Sequence, residues 1–296
     1  MTKENKKKDT KEKVKKITKK ATKEITKKTT KKNVEDKITK NSKEEVKKTK
    51  KKLSWWKKTL IVIAILILLL VIFTISYIND YYKADIDAIN AFSTTTDVEV
   101  TQLSEDITIY GSKENEIGII FYPGAKIEYN AYEPLLKNIA SYGITTVNVK
   151  MPGNLAFFDP NAATTVRNKL PEIKNWYIAG HSLGGSIAAV HIENNKDIYK
   201  GMILLGSYTT SDLTNENIDV LSLIGTEDKI TSIETYNKFN KNLPSSAKKI
   251  LIEGGNHAYY GMYGEQEGDG IAKISVLEQI DFATNEIVNF IFDNQE

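Results

Sequence analysis

Hydrophobic positions fall along this chain in three regimes, and each predicts a different kind of structure. Up to Lys52, Ile and Val appear singly in a Lys/Thr background, as in "KKITKK", "KEITKK" and "DKITK", with no aromatic residue. Such a segment buries too little apolar surface to offset its ordering entropy, so disorder with transient helix is expected. The irregular spacing argues against a solenoid repeat. From Thr59 to Asn79, "TLIVIAILILLLVIFTISYIN" then runs 21 residues without a charge. A helix of about 20 residues crosses a hydrocarbon core of about 30 Å, so this run predicts a transmembrane helix; a buried core helix is the alternative, which soluble helices seldom match without a polar face. Trp55 and Trp56 before it, and Tyr77, Tyr81 and Tyr82 after it, stand where interfacial aromatic side chains belong.

The third regime follows a polar stretch, 80–97, read as a stalk. From Val98 onward, short continuous apolar runs alternate with longer amphipathic ones. "VEVTQ" and "ITIYG" predict a leading hairpin. "EIGIIFYPG", "ITTVNVKMPG", "NWYIAG", "GMILLGSY", "IDVLSLIGTED" and "KKILIEGG" predict buried strands. Between and after them, "YNAYEPLLKNIASYG", "NAATTVRNKL", "LGGSIAAVHIEN", "SIETYNKFNKNL" and a segment of "IAKISVLEQIDFATNEIVNFIF" predict helices, the first closed by Gly143. Continuous apolar strands separated by helices imply an α/β domain, a mostly parallel sheet covered on both faces. In such sheets ligands bind beyond the carboxyl ends of the strands. The expected plan is a Lys-rich tail (1–58), a transmembrane helix (59–79), a stalk (80–97) and one α/β domain (98–296).

Charge sharpens this plan. Residues 1–58 hold 25 Lys and 8 acidic residues, net +17, leaving 16 basic and 30 acidic residues beyond, net −14. A basic lead of this length is too long for a cleaved signal peptide, the apolar run exceeds the usual h-region, and no A-x-A site follows. An uncleaved signal anchor is therefore expected in a single-pass cell-membrane protein, its basic N-terminus cytoplasmic and its C-terminal domain extracellular. The lysine tail serves to set that topology and to solubilise, or binds anionic lipid headgroups beside the anchor. Nucleic acid is the weakest of its candidate partners, since no aromatic or fold-level reader accompanies the lysines. The chain has no cysteine, which excludes disulfides, thiolate metal sites and a lipidated thiol.

The candidate chemistry lies at the predicted strand ends. Gly180-His181-Ser182-Leu183-Gly184 matches G-x-S-x-G between a strand and a helix, the setting of a strained elbow that lifts a serine hydroxyl above a sheet. A serine needs an adjacent base oriented by a third group, and only three histidines exist. His181 adjoins the serine and should point away from it. His191 lies two and a half turns down the helix, as a surface or satisfied helix residue. His257, on the loop after the last strand, is placed to reach over the serine. Asp228 in "LSLIGTED" puts a carboxylate on the same rim; the alternative is a carboxylate at the N-terminus of the helix "SIETYNKF". Glu227 beside it and Asp219 at the opposite strand end are weaker rivals. The oxyanion would take two backbone amides, from Leu183 and from Ala125 after "FYPG".

At these residues the chain resembles the α/β-hydrolase superfamily, over about residues 98–296. "FYPGAKIEYNAYEPLLKNIASYGITTVNVKMPGNLAFFDPNAA", "AGHSLGG", "GTEDKI" and "GGNHAYYGMYGEQEGDGIAKIS" are similar to a bacterial subgroup called alpha/beta hydrolase fold family 5, related to dienelactone hydrolases. The resemblance implies Ser182, Asp228 and His257 as a triad and the Gly124-Ala125 turn as the oxyanion loop. Dienelactone hydrolases proper use a cysteine nucleophile, which this chain lacks.

The short link "SDLTNEN" leaves no room for a helical lid, so an open site is expected. Leu155, Phe157 and Phe158 are candidate pocket walls, with ordinary loop packing as the alternative, and Tyr259, Tyr260 or Tyr263 could flank the substrate. Together these features predict a membrane-anchored serine hydrolase acting on a small-molecule or cell-envelope ester or thioester, with no metal and no cofactor required. Acyl transfer to an envelope acceptor and a non-catalytic surface binding domain are the alternatives.

Overall fold

The computed structural model describes residues 3–49, 54–93, 97–215 and 217–293. The chain divides into two units at Val71. In the first, Lys3–Thr49 forms one continuous helix, α1, where composition predicts disorder. No glycine or proline interrupts this stretch, and threonine hydroxyls bond back to carbonyls four residues earlier, as Thr22 does to Thr18 (2.6 Å) and Thr29 to Ile25 (2.7 Å). Every described side chain of α1 is exposed. It is therefore a helix of local preference with no core of its own. The helix α2, Trp55–Asn79, runs across the division, so that residues 72–79 belong to the second unit; it has 25 residues, no buried side chain, and the length and apolar character needed to cross a membrane.

The second unit is built on eight strands: β1 (Val100–Ser104), β2 (Ile107–Tyr110), β3 (Ile117–Tyr122), β4 (Thr145–Val149), β5 (Asn175–His181), β6 (Tyr199–Leu205), β7 (Asp219–Gly225) and β8 (Lys248–Ile252). Their order is β1-β2-β4-β3-β5-β6-β7-β8. The leading hairpin is antiparallel and β2 pairs antiparallel with β4; the other pairings are parallel. The strand order reverses at β3, which has β4 on one side and β5 on the other, so the site predicted by the topology lies beyond the ends of β3 and β5.

Both faces of the sheet are buried, which is why the strands read as continuous apolar runs. Side chains alternate between two cores: Ile119 and Phe121 of β3 enter one, Ile120 and Tyr122 the other. The first core also takes Leu135, Leu136 and Ile139 of α4 (Glu133–Ala140) and Ile280, Ala283, Ile287 and Ile291 of α8 (Val276–Asp293). The second takes Val166 of α5 (Ala162–Lys169) and Ala188, Ala189 and Ile192 of α6 (Leu183–Glu193). Helix α7, Ile233–Phe239, is capped by Ser232, whose hydroxyl accepts the Thr235 amide. Among the described residues between β6 and β7 no helix is inserted, in keeping with an open site.

The stretch 80–97 departs from the expected stalk. Tyr82 forms a parallel bridge with Ile127, and Ile86–Ser93 forms a helix, α3. Ala84 and Ile89 are buried in the first core. The reason is a short apolar face, Ala88, Ile89 and Phe92, that a polar average conceals, Ile86 staying exposed; the Thr run at 94–96 lies outside the described residues. The folded domain thus begins near Tyr82 and not at Val98. In a chain truncated to 80–296, Ile89→Ala should lower stability by about 2–4 kcal/mol, as read from urea unfolding; an unchanged midpoint would show that α3 is not part of the core.

Candidate active site

Strand β5 ends at His181 and α6 begins at Leu183, so Ser182 alone makes the turn, with φ 52° and ψ −126°. A non-glycine residue held there costs about 1–3 kcal/mol and persists only if its surroundings enforce it. They do: the Ser182 amide donates to Leu205 (3.0 Å), while its carbonyl accepts the Ser186 amide (3.3 Å) and the Ser207 hydroxyl (2.6 Å). Gly184 completes the elbow. Any Cβ there would collide with the Tyr122 carbonyl oxygen, so only glycine lets the start of α6 press against the end of β3.

His181 pairs with Leu205 across β5 and β6, which sets Ser182 beside Gly206. Gly206 has φ 49°, and a Cβ on it would lie 3.1 Å from His257 Nδ1 and 3.2 Å from Asp228 Oδ2. The bare backbone of Gly206 is therefore the floor on which the other two residues meet. His257 Nδ1 lies 2.8 Å from Asp228 Oδ2, both side chains being fully buried. A carboxylate only accepts, so Nδ1 carries a proton, and in the neutral ring the lone pair is then on Nε2. That Nε2 is buried and has no hydrogen-bond partner within the described chain. The other carboxylate oxygen, Oδ1, accepts the Thr231 amide (2.9 Å), and the Thr231 hydroxyl donates to the Gly206 carbonyl (2.7 Å). The loop carrying His257 is pinned by Asp269, which accepts the Ala258 amide (2.9 Å), and by Gln279, which accepts the Asn256 amide (2.9 Å).

The remaining candidates fall elsewhere. Fully buried His181 uses both ring nitrogens: Tyr132 Oη is 2.8 Å from Nδ1, and Nε2 is 3.0 Å from the His257 carbonyl oxygen. Because the Tyr132 hydroxyl already accepts the Gly124 amide (3.1 Å), it donates to Nδ1, and Nε2–H donates to His257. Burial, then proximity to His257, holds the His181 pKa well below the usual imidazole value, so it is a neutral structural ring. His191 is buried against Asn161 (3.1 Å) and Tyr199 (2.8 Å), and burial followed by the Arg167 charge lowers its pKa to about 4. Glu227 pairs with Lys273 on the surface, and Asp219 is exposed at the far end of β7. The helix-capping role considered for Asp228 belongs to Ser232.

Among the described residues no protein acceptor takes the amide of Ala125 or of Leu183, whereas Gly124 is committed to Tyr132. Leu155 is half-buried; Phe157 and Phe158 are 67% and 54% exposed, packed edge-to-face at 5.9 Å. These two rings stand in solvent and do not line an enclosed pocket. Tyr259 borders a shallow cavity of about 160 Å³ with Asp85, Ala88 and Met262. Tyr260 and Tyr263 are buried. No cluster of three His, Asp or Glu side chains suited to a metal occurs among the described residues. The sequence reading missed Tyr132, Thr231 and Asp269, whose parts depend on long-range packing and leave no local pattern.

Because the folded state lowers the His191 and His181 pKa values, protons bind more tightly to the unfolded chain. Stability should be full above about pH 6.5, the ordinary imidazole value, and fall as the pH drops toward 4. Thermal melts across that range check this, and His191→Gln should flatten the slope.

The model described as alpha/beta hydrolase family matches residues 118–281, more than half of the chain. No curated relative matches it by sequence. Among solved structures, Est1E from Butyrivibrio proteoclasticus superposes with a TM-score of 0.50 at 15% identity, covering 67% of this chain and 98% of that one. A protein described as a predicted CIB-like hydrolase from Thermoplasma acidophilum gives 0.49 at 16% identity, over 66% and 98%. Likeness at such identity speaks to the fold alone. The sheet order, the elbow after β5 and the family match lead to one assignment: this chain belongs to the alpha/beta hydrolase family.

Proposed function

We propose that this hydrolase is a membrane-anchored serine enzyme that cleaves carboxylic esters or thioesters through an acyl-enzyme on Ser182. The observation that supports the reading is His257: its Nδ1 is fixed on Asp228 at 2.8 Å, and its buried Nε2 makes no hydrogen bond among the described residues, the Ser182 hydroxyl included, which leaves it free for a substrate-bound serine. In the proposed step the Ser182 hydroxyl attacks the substrate carbonyl while His257 Nε2 takes its proton. The amides of Leu183 and Ala125 receive the negative charge on the carbonyl oxygen. The tetrahedral species collapses, His257 returns the proton to the departing alcohol or thiol, and water repeats the sequence to free the acid. Esters and thioesters are favoured over amides, whose poor leaving group asks more of the proton transfer.

A fluorophosphonate probe should label the protein at Ser182, and Ser182→Ala should abolish labelling; equal labelling of the variant would overturn the mechanism. Asp228→Asn should keep the fold but cost about 10⁴-fold in kcat, because an amide no longer holds the Nδ1–H tautomer. Product analysis with and without an added alcohol separates hydrolysis from acyl transfer.

The membrane reading rests on α2 and on the charge split about Lys58. Positive residues stay on the cytoplasmic side, so residues 80–296 face outward in this proposal, and the lysine tail lies by the inner headgroups. Protease treatment of intact cells should remove the hydrolase domain, and protection of the domain would reverse the topology.

A further inference from the structure

The join between the apolar helix and the catalytic rim has no slack. Three residues after α2 ends at Asn79, Tyr82 is already locked into the domain. Its amide donates to the Lys126 carbonyl (2.7 Å), and its carbonyl accepts the Glu128 amide (2.9 Å). The Ala84 amide donates to Glu128 Oε2 (3.0 Å) and the Asp85 amide to the Met262 carbonyl (2.8 Å). The Tyr82 hydroxyl accepts the Glu267 amide (3.0 Å), and its ring packs on Tyr263 at 5.8 Å. These bonds bind the segment to both loops that matter: the one carrying Ala125 and the one carrying His257. At no more than about 3.6 Å per residue, Tyr82 lies within about 11 Å of the last residue of α2.

The end of α2 itself also meets the rim. Lys126, next to Ala125, has Nζ 2.8 Å from Asp80 Oδ2 and 4.6 Å from the centre of the Tyr77 ring. Ile78 covers Gly153, where a Cβ would come within 2.9 Å of its Cγ2. The loop that Ile78 touches continues into Phe157 and Phe158, the two most exposed aromatic side chains among the described residues of the domain. Two further exposed apolar side chains, Ile230 and Ile271, stand on the loops that follow Asp228 and His257. Exposed apolar groups on three loops at one end of a sheet are costly in water and are at home in a headgroup boundary.

We infer that the substrate is the ester or thioester of a membrane-resident amphiphile, presented from the leaflet surface to a rim held against that surface by the Tyr82 strap. This rests on the serine-hydrolase and anchor readings above. Phe157 and Phe158 seat in the interfacial region, and the scissile carbonyl reaches Ser182 without the amphiphile leaving the bilayer. A water-soluble ester of similar chemistry gains nothing from this arrangement.

The test uses the full chain reconstituted in phosphatidylcholine vesicles, with a Gly/Ser insertion of about 15 residues between Asn79 and Asp80, which reaches about 20 Å and alters no residue of the strap or the rim. Two probes are compared: a fluorogenic long-chain acyl ester carried in the vesicle, and p-nitrophenyl acetate in the buffer. The expected result is a fall of about tenfold or more in turnover of the vesicle-borne ester, with p-nitrophenyl acetate unchanged, because only the first depends on the rim's local concentration at the surface. The inference is overturned if the insertion leaves both rates unchanged, if it lowers both equally, or if the uninserted protein turns over p-nitrophenyl acetate but not the vesicle-borne ester. Loss of fluorophosphonate labelling at Ser182 in the uninserted protein would remove the serine-hydrolase reading instead, so the two failures are distinguishable.

Discussion

The candidate site depends on one buried ring, that of His181. It is the last residue of β5, yet its two nitrogens join elements far apart in sequence: Tyr132 and through it Gly124 on one side, the backbone of His257 on the other. Its ring lies 4.5 Å from that of His257, centre to centre. A buried imidazole with either nitrogen unpaired would cost about 1–3 kcal/mol, so the ring holds these partners in register. The loop after β3, the elbow after β5 and the loop after β8 are thereby fixed to one another. Among the described residues His257 Nε2 is the one buried side-chain nitrogen without a partner, and it is the one that the proposed chemistry would use.

Much of this was legible in the chain, for physical reasons that differ from residue to residue. The strands were visible because both sheet faces are buried, and the candidates Ser182, Asp228 and His257 because motif and chain order put them just after β5, β7 and β8. The rivals could be ranked as well: Asp219 by its place at the wrong end of β7, His181 by its alternation with Ser182. What the sequence concealed lies in long-range pairing. Nothing local in "NDYYKADIDAINAFS" announces that Tyr82 will bridge Ile127, and the apolar face of Ala88, Ile89 and Phe92 is too short to separate from a polar stalk by average composition. Likewise Phe157 and Phe158 have the composition of a pocket wall, but their exposure is set by the loop path.

The Lys-rich helix marks the opposite limit. Its residues form helix without glycine or proline to stop them, and yet it buries nothing among its described side chains. Local propensity and burial thus part company: propensity alone draws α1, and packing alone draws α3, a helix of only eight residues. A reading based on burial expects disorder in the first and overlooks the second.

The Tyr82 strap also bears on how the hydrolase domain could be set free. Proteases that release ectodomains cut where several residues of backbone lie extended and unengaged. Between Asp80 and Asp85 the backbone is committed to Lys126, Glu128 and Met262, and α3 follows at once with Ile89 in the core. A cut within the strap would sever the chain but leave both sides held by these bonds and by the packing of α3, so nicking there and release would be separate events.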